Sequence, residues 1–329
     1  MIISSAPGRA GIVGNPTDMY GGSVVSCTVP FRAECRLTPA DRFTVEVGGE
    51  SEEIKSSCDL KLAAKRLDIA KAVISFFDIE PSKFKYSLSV TSDIPEQAGL
   101  AGSTAMVVAI VGCIVELLEL SLPPHELAET ARKIEAETMG ILCGFQDQYM
   151  AVFGGLNYMD FRCKEDLIQF EDEPLATVEP LAPYISDLPI LIAHTGIKRN
   201  SGIVHKSIRA RWEEREPAVI HGYLRIAHLA RLAKRALIKG DLDKLGELMN
   251  ENHAIQRDLG GSGPVNEMLI GVALENGAIG AKLAGAGCGG TIVALTLDPK
   301  RTSRALADAG AERIVLVEPV EGLTIERSC

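Results

Sequence analysis

The feature that most restricts the fold is a loop of small residues that opens directly onto a long apolar segment. The loop, PEQAGLAGST at 95–104, follows a strand-like run and precedes an apolar run at 105–118. Glycines allow close backbone approach, and the first turn of a helix directs its free N–H groups and positive dipole end at such a loop. We therefore predict an anion site here, with a triphosphate as the natural ligand. Ser103 and Thr104 add hydroxyl groups that suit Mg²⁺.

Length and charge limit the class of protein. A chain of 329 residues is long for one hydrophobic core, so two lobes are expected, and the proline-rich acidic stretch at 171–189 predicts their junction. We predict domains at 1–184 and 185–329. The net charge of −10 argues against nucleic acid or an anionic membrane as the main partner, although backbone N–H groups can still hold an anion locally.

The N-terminus and the cysteines favour a cytoplasmic protein. The chain begins MIISSAPGRA, which lacks the charged and apolar regions of a signal peptide. No two of the eight cysteines have C-x-x-C spacing, so free thiols are expected rather than a zinc site. The longest apolar run is too short to span a bilayer.

Hydrophobic patterning predicts a β-rich beginning followed by helices. β-branched and apolar runs bounded by turn residues fill much of the first 95 residues, with a helix near 59–77 and a strand at 85–93. Helical spacing predicts helices at 103–120 and 124–138. Beyond the junction we expect a buried strand, apolar residues at helical spacing over 202–238, and a closing helix and strand.

Two further glycine-bearing segments accompany the first, PGRAGIVGNPTDMYGG at 7–22 and KLAGAGCGG at 282–290. The last contains GAGCGG, which matches the dinucleotide fingerprint G-x-G-x-x-G. That fingerprint opens a helix, whereas the strand-like TIVALTLD follows here, so we reject the dinucleotide interpretation. The loop at 95–104 is not a Walker A loop either, because the chain contains no G-x-x-x-x-G-K-[ST].

The three segments, in this order, resemble the three motifs of the GHMP kinases. APGRAGIVGNPTDMYGG is similar to the opening motif, IPEQAGLAGST to the phosphate loop, and KLAGAGCGG to the third motif. Within the family, GNPTD, GLAGST, GFQDQYMAVFGGLNYMDF and SGIVHKSIRARW resemble segments of the glucuronokinases. There are two departures. Thr104 stands where a second serine is common, and Ala284 stands where threonine or serine is usual.

The resemblance implies an α+β fold with two lobes that hold ATP and an acceptor between them. The N-terminal lobe would resemble the second domain of ribosomal protein S5, and the C-terminal lobe a ferredoxin-like sandwich. ATP would be bound by the phosphate loop and by the third motif. The residues implied are Pro95, Gln97, Ala98, Gly99, Leu100, Ala101, Gly102, Ser103, Thr104, Gly285 and Gly287.

The resemblance also implies the catalytic and metal-binding residues. Asp147 of GFQDQ matches the base that faces the acceptor hydroxyl group, and Arg9 matches a basic residue beside it. Ser103 and Glu135 would hold Mg²⁺, with Glu137 as the rival carboxylate. Taken alone, each residue has a plainer interpretation. Asp147 could cap a helix, Arg9 could form a surface ion pair, and Glu135 could be solvated.

The acceptor is implied to contact Asn15, Thr17, Asp18, Gly21, Asp147 and Arg199. Galactokinase-like sequences carry Glu-His where this chain has Asn15-Pro16, so a neutral residue replaces a carboxylate near the exocyclic end of the sugar. This removes a repulsion toward a C6 carboxylate and favours a uronic acid. Asn-Pro is otherwise only a turn signal, and Asp18 could merely start that turn. Cations are offered by KRNSGIVHKSIRAR, which contains Lys198, Arg199, His205, Lys206, Arg209 and Arg211.

The sequence therefore predicts an ATP- and Mg²⁺-dependent kinase that phosphorylates the anomeric hydroxyl group of D-glucuronate. Two alternatives stay open at this point. The acceptor could be another small sugar or polyol, such as galactose, a heptose phosphate or mevalonate. A sensor that binds ATP and sugar without turnover is the other alternative. The expected partner is a small-molecule substrate rather than nucleic acid or membrane, and the chain would be a monomer or a homodimer.

Overall fold

The strands of the protein form two separate sheets. A computed structural model describes residues 1–162, 164, 174–185, 187–196, 208–285 and 290–328, and within these ranges one sheet has eight strands and the other four. Helices cover both sheets, so the predicted α+β class is confirmed. No helix in these ranges combines the length and the apolar character needed to cross a bilayer.

The first sheet is built around one long strand that pairs along both of its edges. Its strands are β1 (Ile2–Val13), β2 (Ser23–Pro39), β3 (Thr44–Val47), β4 (Glu50–Glu53), β5 (Tyr86–Ser92), β6 (Leu156–Asp160), β7 (Thr177–Pro180) and β12 (Thr324–Arg327). Their order is β12-β1-β2-β5-β3-β4, with β6 pairing the start of β2 and β7 pairing β6. The long strand β2 thus runs through the middle of the sheet, and β1 lies between it and β12.

The first lobe has four helices, α1 (Asp68–Phe76), α2 (Gly102–Leu117), α3 (Pro124–Lys133) and α4 (Gln146–Phe153). α2 and α4 pack on the sheet, whereas α1 and α3 pack against α2. Every residue of α2 from 107 to 115 is buried, as its all-round apolar sequence requires. Four short helical turns lie among these elements in the described residues, at Thr17–Tyr20, Ser57–Leu60, Ile134–Thr138 and Ala182–Tyr184.

The helix predicted near 59–77 is wrong in its first half, since α1 begins only at Asp68. The Asp68 carboxylate accepts the backbone N–H groups of Ala63 and Lys65 at 2.8 and 3.1 Å. Ala64 between them has a positive φ of 58°. A turn held in this way cannot continue as a helix toward the N-terminus.

The second sheet consists of β8 (Ile190–His194), β9 (Ala278–Leu283), β10 (Thr291–Thr296) and β11 (Arg313–Leu316). It is antiparallel in the order β11-β8-β10-β9, the 4-1-3-2 order of a ferredoxin-like sheet. Its helices are α5 (Pro217–Lys239), α6 (Leu242–Asp258), α7 (Pro264–Glu275) and α8 (Pro299–Asp308). β10 is the strand that was predicted to follow the third glycine segment, so that segment does not open a helix.

The two lobes share extensive contacts. α5 packs against β1, β2 and the turn at Thr17–Tyr20, and α6 packs between β1 and β9. The chain end also returns to the first lobe, because β12 pairs antiparallel with β1. No sequence pattern predicted this last strand. Contacts with α5, α6 and β10 place β1 at the junction of the lobes.

Arg32 of β2 holds the returning chain end in place. Its guanidinium donates to the Ser5 hydroxyl and carbonyl groups at 2.7 and 2.8 Å, and to the carbonyl groups of Glu321 and Gly322 at 2.8 and 2.7 Å. The planar guanidinium fork makes all four bonds at once, which a lysine ammonium cannot do.

We expect Arg32→Lys to lower the free energy of unfolding by about 1–3 kcal/mol, because several carbonyl groups lose their donors. Arg36→Lys on the same strand is the matched control, since Arg36 is 58% exposed and pairs only with Glu34. This control should change stability by less than about 1 kcal/mol. Urea and thermal unfolding of both variants measure the difference. Equal losses in the two variants would contradict a special role for Arg32.

Candidate active site

Four chain segments from both lobes meet beside the end of β1. The Arg9 backbone N–H donates to the Leu100 carbonyl at 3.0 Å, joining β1 to the loop before α2. The Gly11 N–H donates to the Ala284 carbonyl at 2.9 Å, joining β1 to the third glycine segment. α4 begins beside the same strand, with its first turn at Gln146 and Asp147. All three glycine-bearing segments therefore border one cleft.

The loop at 95–101 has a backbone suited to an anion. Its φ angle is positive at every second residue, with values of 54°, 74° and 61° at Gln97, Gly99 and Ala101. This alternation turns successive N–H groups toward one side, as in anion-binding nests. The side chains of Ala98 and Leu100 are buried, so the loop presents mainly backbone outward. α2 starts directly after the loop, and its free N–H groups add to the site.

The third glycine segment packs backbone to backbone against this loop. A Cβ atom on Gly285 would lie 3.0 Å from the Gly99 carbonyl oxygen, and one on Gly290 would lie 2.4 Å from the Ala98 carbonyl oxygen. Only glycine permits the second approach. Gly287, also predicted to bind ATP, lies outside the described residues.

Arg9 and Asp147, predicted as the catalytic pair, form an ion pair. The Arg9 Nε and Nη2 atoms lie 2.8 and 2.6 Å from Asp147 Oδ1, and Nη1 donates to the Gly99 carbonyl at 2.7 Å. Within the described residues, Asp147 Oδ2 accepts no hydrogen bond. The Asp147 side chain is 30% exposed, so this second oxygen can face a ligand in the cleft.

Asp18 anchors the helix that carries Asp147. Its Oδ2 accepts the backbone N–H groups of Phe145 and Gln146 at 2.9 and 3.0 Å, at the start of α4. Burial raises the pKa of Asp18, and the nearby Asp147 raises it further, whereas the two backbone N–H groups oppose the shift. These contacts tie the predicted sugar-binding segment to the catalytic helix.

Thr17 and Gly21 shape the turn that presents Asp18. The Thr17 hydroxyl donates to the Gly14 carbonyl at 2.7 Å, and Gly21 ends the turn with a φ of 68°. Thr17 is 1% exposed, so its hydroxyl is turned inward. Their predicted contacts with an acceptor stay predictions.

Glu135 is buried, whereas its rival Glu137 is exposed. The Glu135 carboxylate accepts hydrogen bonds from the Thr104 hydroxyl at 3.0 Å and from the Gln148 amide at 2.5 Å. Burial raises the pKa of Glu135 to about 7, with a further contribution from Asp147. Both partners are neutral, so the charge of this carboxylate is not balanced by a cation among the described residues.

This chemistry fits a hard divalent cation. Mg²⁺ is usually held by one or two carboxylates together with substrate phosphates, rather than by a cage of protein ligands. Accordingly, the described part of the chain holds no cluster of three histidine, cysteine or acidic side chains. Ser103 is exposed in the first turn of α2, and its neighbour Thr104 contacts Glu135. Ser103 and Glu135 are therefore the residues that could hold the ion.

Asn15 is only 1% exposed, and both ends of its amide have partners. Its Nδ2 donates to the Gly285 carbonyl at 3.0 Å, and its Oδ1 accepts a hydrogen bond from Lys282 at 2.8 Å. Asn15 thus bridges the first and third glycine segments. A direct contact with an acceptor stays a prediction, and any influence on acceptor charge would act together with Lys282.

The predicted cation-rich segment lies partly outside the described residues, and Arg199 is among those not described. Two of its arginines are described, and both pair with glutamates. Arg209 pairs with Glu213 at 2.8 Å, and Arg211 binds Glu216 at 2.7 Å.

Lys282 and Gln148 were not singled out from the sequence. A signal for Lys282 exists, since it is the one charged residue in AIGAKL, a strand that is otherwise apolar. Such a residue is either at an exposed edge or buried with polar partners. Nothing comparable distinguishes Gln148 from other helical glutamines.

Comparison with known proteins shows which family the chain belongs to. The family model for the GHMP kinases N terminal domain matches residues 64–155, and that for GHMP kinases C terminal matches residues 233–313. A mevalonate kinase from Pyrococcus abyssi is 31% identical over 99% of this chain and 98% of its own length. Glucuronokinase 1 from Arabidopsis thaliana is 28% identical over 87% of this chain and 82% of its own length.

A solved structure supports the same fold. The crystal structure of a D-glycero-D-manno-heptose 1-phosphate kinase from Bacteriodes thetaiotaomicron superposes with a TM-score of 0.76. The superposition covers 100% of both chains at 22% identity. The fold, the two family models and the extent of these similarities lead to one conclusion. The chain belongs to the GHMP kinases, which are ATP-dependent phosphotransferases acting on hydroxyl groups.

Proposed function

We propose that this kinase transfers the γ-phosphoryl group of ATP to the anomeric hydroxyl group of D-glucuronate, giving glucuronate 1-phosphate. The observation that carries the proposed chemistry is the Arg9–Asp147 ion pair, which borders the loop at 95–101. Phosphoryl transfer depends mainly on positioning and on charge stabilisation, and this cleft offers groups for both.

In the proposed reaction, Asp147 is the general base. The acceptor oxygen forms a bond to the γ-phosphorus as the bond to the bridging oxygen breaks, and ADP leaves. The hydroxyl proton passes to Asp147 Oδ2, the carboxylate oxygen that Arg9 does not contact. The Arg9 guanidinium keeps Oδ1 fixed and stabilises negative charge that develops on the acceptor oxygen.

In the proposed nucleotide site, the loop at 95–101 and the first turn of α2 bind the phosphates through backbone N–H groups. Ser103 and Glu135 would hold Mg²⁺, which when bound neutralises charge on the phosphate oxygens. Thr104 and Gln148 orient the Glu135 carboxylate toward this position through their hydrogen bonds.

The acceptor assignment rests on residues of the first glycine segment. GNPTD resembles glucuronokinase segments, and a glucuronokinase is among the relatives of this chain. Neutral Asn15, hydrogen-bonded to Lys282, leaves the base of the cleft without the negative charge that a glutamate would add. Mevalonate is the second candidate, because a mevalonate kinase has the higher identity, 31% against 28%. Both acceptors combine a hydroxyl group with a carboxylate.

We expect ADP release to be fastest with D-glucuronate when uronic acids, neutral hexoses, heptose phosphates and mevalonate are compared. The neutral counterpart D-glucose should have a kcat/KM at least about tenfold lower, since it lacks the carboxylate. A coupled assay measures the rates, and phosphorus NMR identifies a phosphate on the anomeric oxygen. A preference for mevalonate would select the second candidate, and a preference for a neutral hexose would overturn both.

We expect Asp147→Asn to lower kcat by about 10²–10⁴-fold, because the base is lost, while ADP affinity stays unchanged. Asp160→Asn is the matched control, since Asp160 also pairs with an arginine, Arg162, but lies on β6. Its kcat should remain within about twofold of the wild type. Steady-state kinetics and calorimetry give the two quantities. Near wild-type kcat in Asp147→Asn would remove Asp147 from the role of base.

Replacement of the two glutamates should separate the metal ligand from its exposed neighbour. We expect Glu135→Gln to raise the Mg²⁺ concentration needed for half-maximal activity by about tenfold or more, since a carboxylate ligand is lost. Glu137→Gln should leave this concentration unchanged, because Glu137 is exposed. Titration of activity with Mg²⁺ at fixed ATP measures both. The reverse order of effects would assign the ion to Glu137.

A further inference from the structure

Lys282 of β9 is a fully buried lysine without a carboxylate partner. Its side chain is 0% exposed, and its ammonium group donates to the Asn15 side chain at 2.8 Å and to the carbonyl groups of Gly11 and Leu283. Within the described ranges, no carboxylate oxygen lies within 4 Å of its Nζ atom. In the first lobe, by contrast, the buried Lys71 has a carboxylate partner, Glu52, at 2.8 Å.

The charged groups around Lys282 are mainly cationic. Arg9 of β1 faces it from the first lobe, and His253 of α6 faces it from the second. His253 is itself paired with Glu267 of α7 at 2.9 Å. Burial lowers the pKa of Lys282 to about 7, and Arg9 lowers it further. In the described part of the chain, no carboxylate therefore balances the ammonium group of Lys282.

A short chain of contacts connects Lys282 to the loop that we assign to the phosphates. Lys282 binds Asn15 Oδ1, and the amide nitrogen of Asn15 donates to the Gly285 carbonyl. Gly285 packs on the backbone of Gly99, the residue whose carbonyl also accepts from Arg9. Each step of this path is made by neutral protein groups, so among the described residues the path brings no negative charge to Lys282.

We propose that Lys282 is a positioning residue for the nucleotide, and that the phosphates of bound ATP or ADP supply the negative charge that its ammonium group lacks. This inference rests on the proposed nucleotide site at the loop 95–101, against which Gly285 and Gly290 pack. In this role Lys282 does not contact the phosphates. Lys282 holds Asn15, and through Asn15 the backbone of Gly285, against the loop. The protonated fraction of Lys282 increases when the anion binds.

This proposal links nucleotide binding to protonation. An anion nearby raises the pKa of a lysine, typically by one unit or more. With a rise from about 7 to about 8, the lysine takes up about half a proton at pH 7.5. The ADP affinity of the wild type should therefore fall about threefold between pH 7.5 and pH 9, where the lysine is neutral in both states.

The test is calorimetric titration of the whole enzyme with ADP in the absence of Mg²⁺. Metal is left out so that proton release from carboxylate ligands does not contribute. At pH 7.5, buffers of different ionisation enthalpy give the number of protons taken up. We expect the wild type to take up about half a proton more than Lys282→Met, which keeps the length of the side chain but not its charge; Glu135 and ADP itself contribute equally to both proteins. Lys282→Met should also bind ADP about threefold more weakly than the wild type at pH 7.5, and this difference should disappear by pH 9.

Two control variants separate this effect from others. Lys71→Met removes a buried lysine that has a carboxylate partner, and its proton uptake should match that of the wild type. His253→Gln removes the other titratable group that faces Lys282, and it should also leave the uptake in place. Loss of uptake in His253→Gln with retention in Lys282→Met would overturn the proposal.

Asn15→Asp keeps the proposal testable if Lys282→Met does not fold. The Asn15 Oδ1 atom lies 2.8 Å from Lys282 Nζ, so the new carboxylate would lie against the ammonium group. It would keep the lysine charged before ADP arrives. Proton uptake should then fall by about half a proton relative to the wild type, and unchanged uptake would count against the proposal. Gly102→Val tests the nucleotide site itself. If that variant binds ADP as tightly as the wild type, the proposed nucleotide site is wrong. If it loses ADP binding while Lys282→Met takes up as many protons as the wild type, the nucleotide site stands and only the role of Lys282 is refuted.

Discussion

The guanidinium group of Arg9 is the contact on which the cleft depends. One side of it fixes Asp147 Oδ1, and the other binds the carbonyl group of Gly99 in the loop before α2. The backbone of the same residue binds Leu100. A lysine could satisfy one of these partners but not both in one plane. The proposed base and the proposed phosphate loop therefore keep a fixed distance because a single rigid side chain spans them.

Two buried groups of opposite sign border this cleft, and neither is balanced within the described residues. Glu135 has neutral partners and a pKa raised to about 7, while Lys282 has neutral partners and a pKa lowered to about 7. Burial opposes the charge of each group. In the proposed nucleotide site, Mg²⁺ would balance Glu135 and the phosphates would balance Lys282. Binding of this ligand would thus restore charge balance at two positions at once.

Local sequence patterns predicted most elements of the fold but not the contacts between the lobes. The small loop before α2, the buried helix and the strand after the third glycine segment follow from spacing and composition over about ten residues. The late start of α1 depends on the Asp68 side chain, and β12 depends on a partner strand more than 300 residues away. Propensity has no information on such partners, because they are adjacent only in the folded chain.

For the candidate site, the motifs identified residues that lie together, but not how their charges interact. Asn15 was interpreted from the sequence as a residue that faces the acceptor. In the fold, its amide lies between Lys282 and Gly285, from segments about 270 positions away. A glutamate here would pair with Lys282 and cancel its charge, whereas asparagine leaves that charge in place. The preference for an anionic acceptor would then follow from the net charge of the cleft base, and the neutral residue matters through the lysine behind it rather than through its own contact with the sugar.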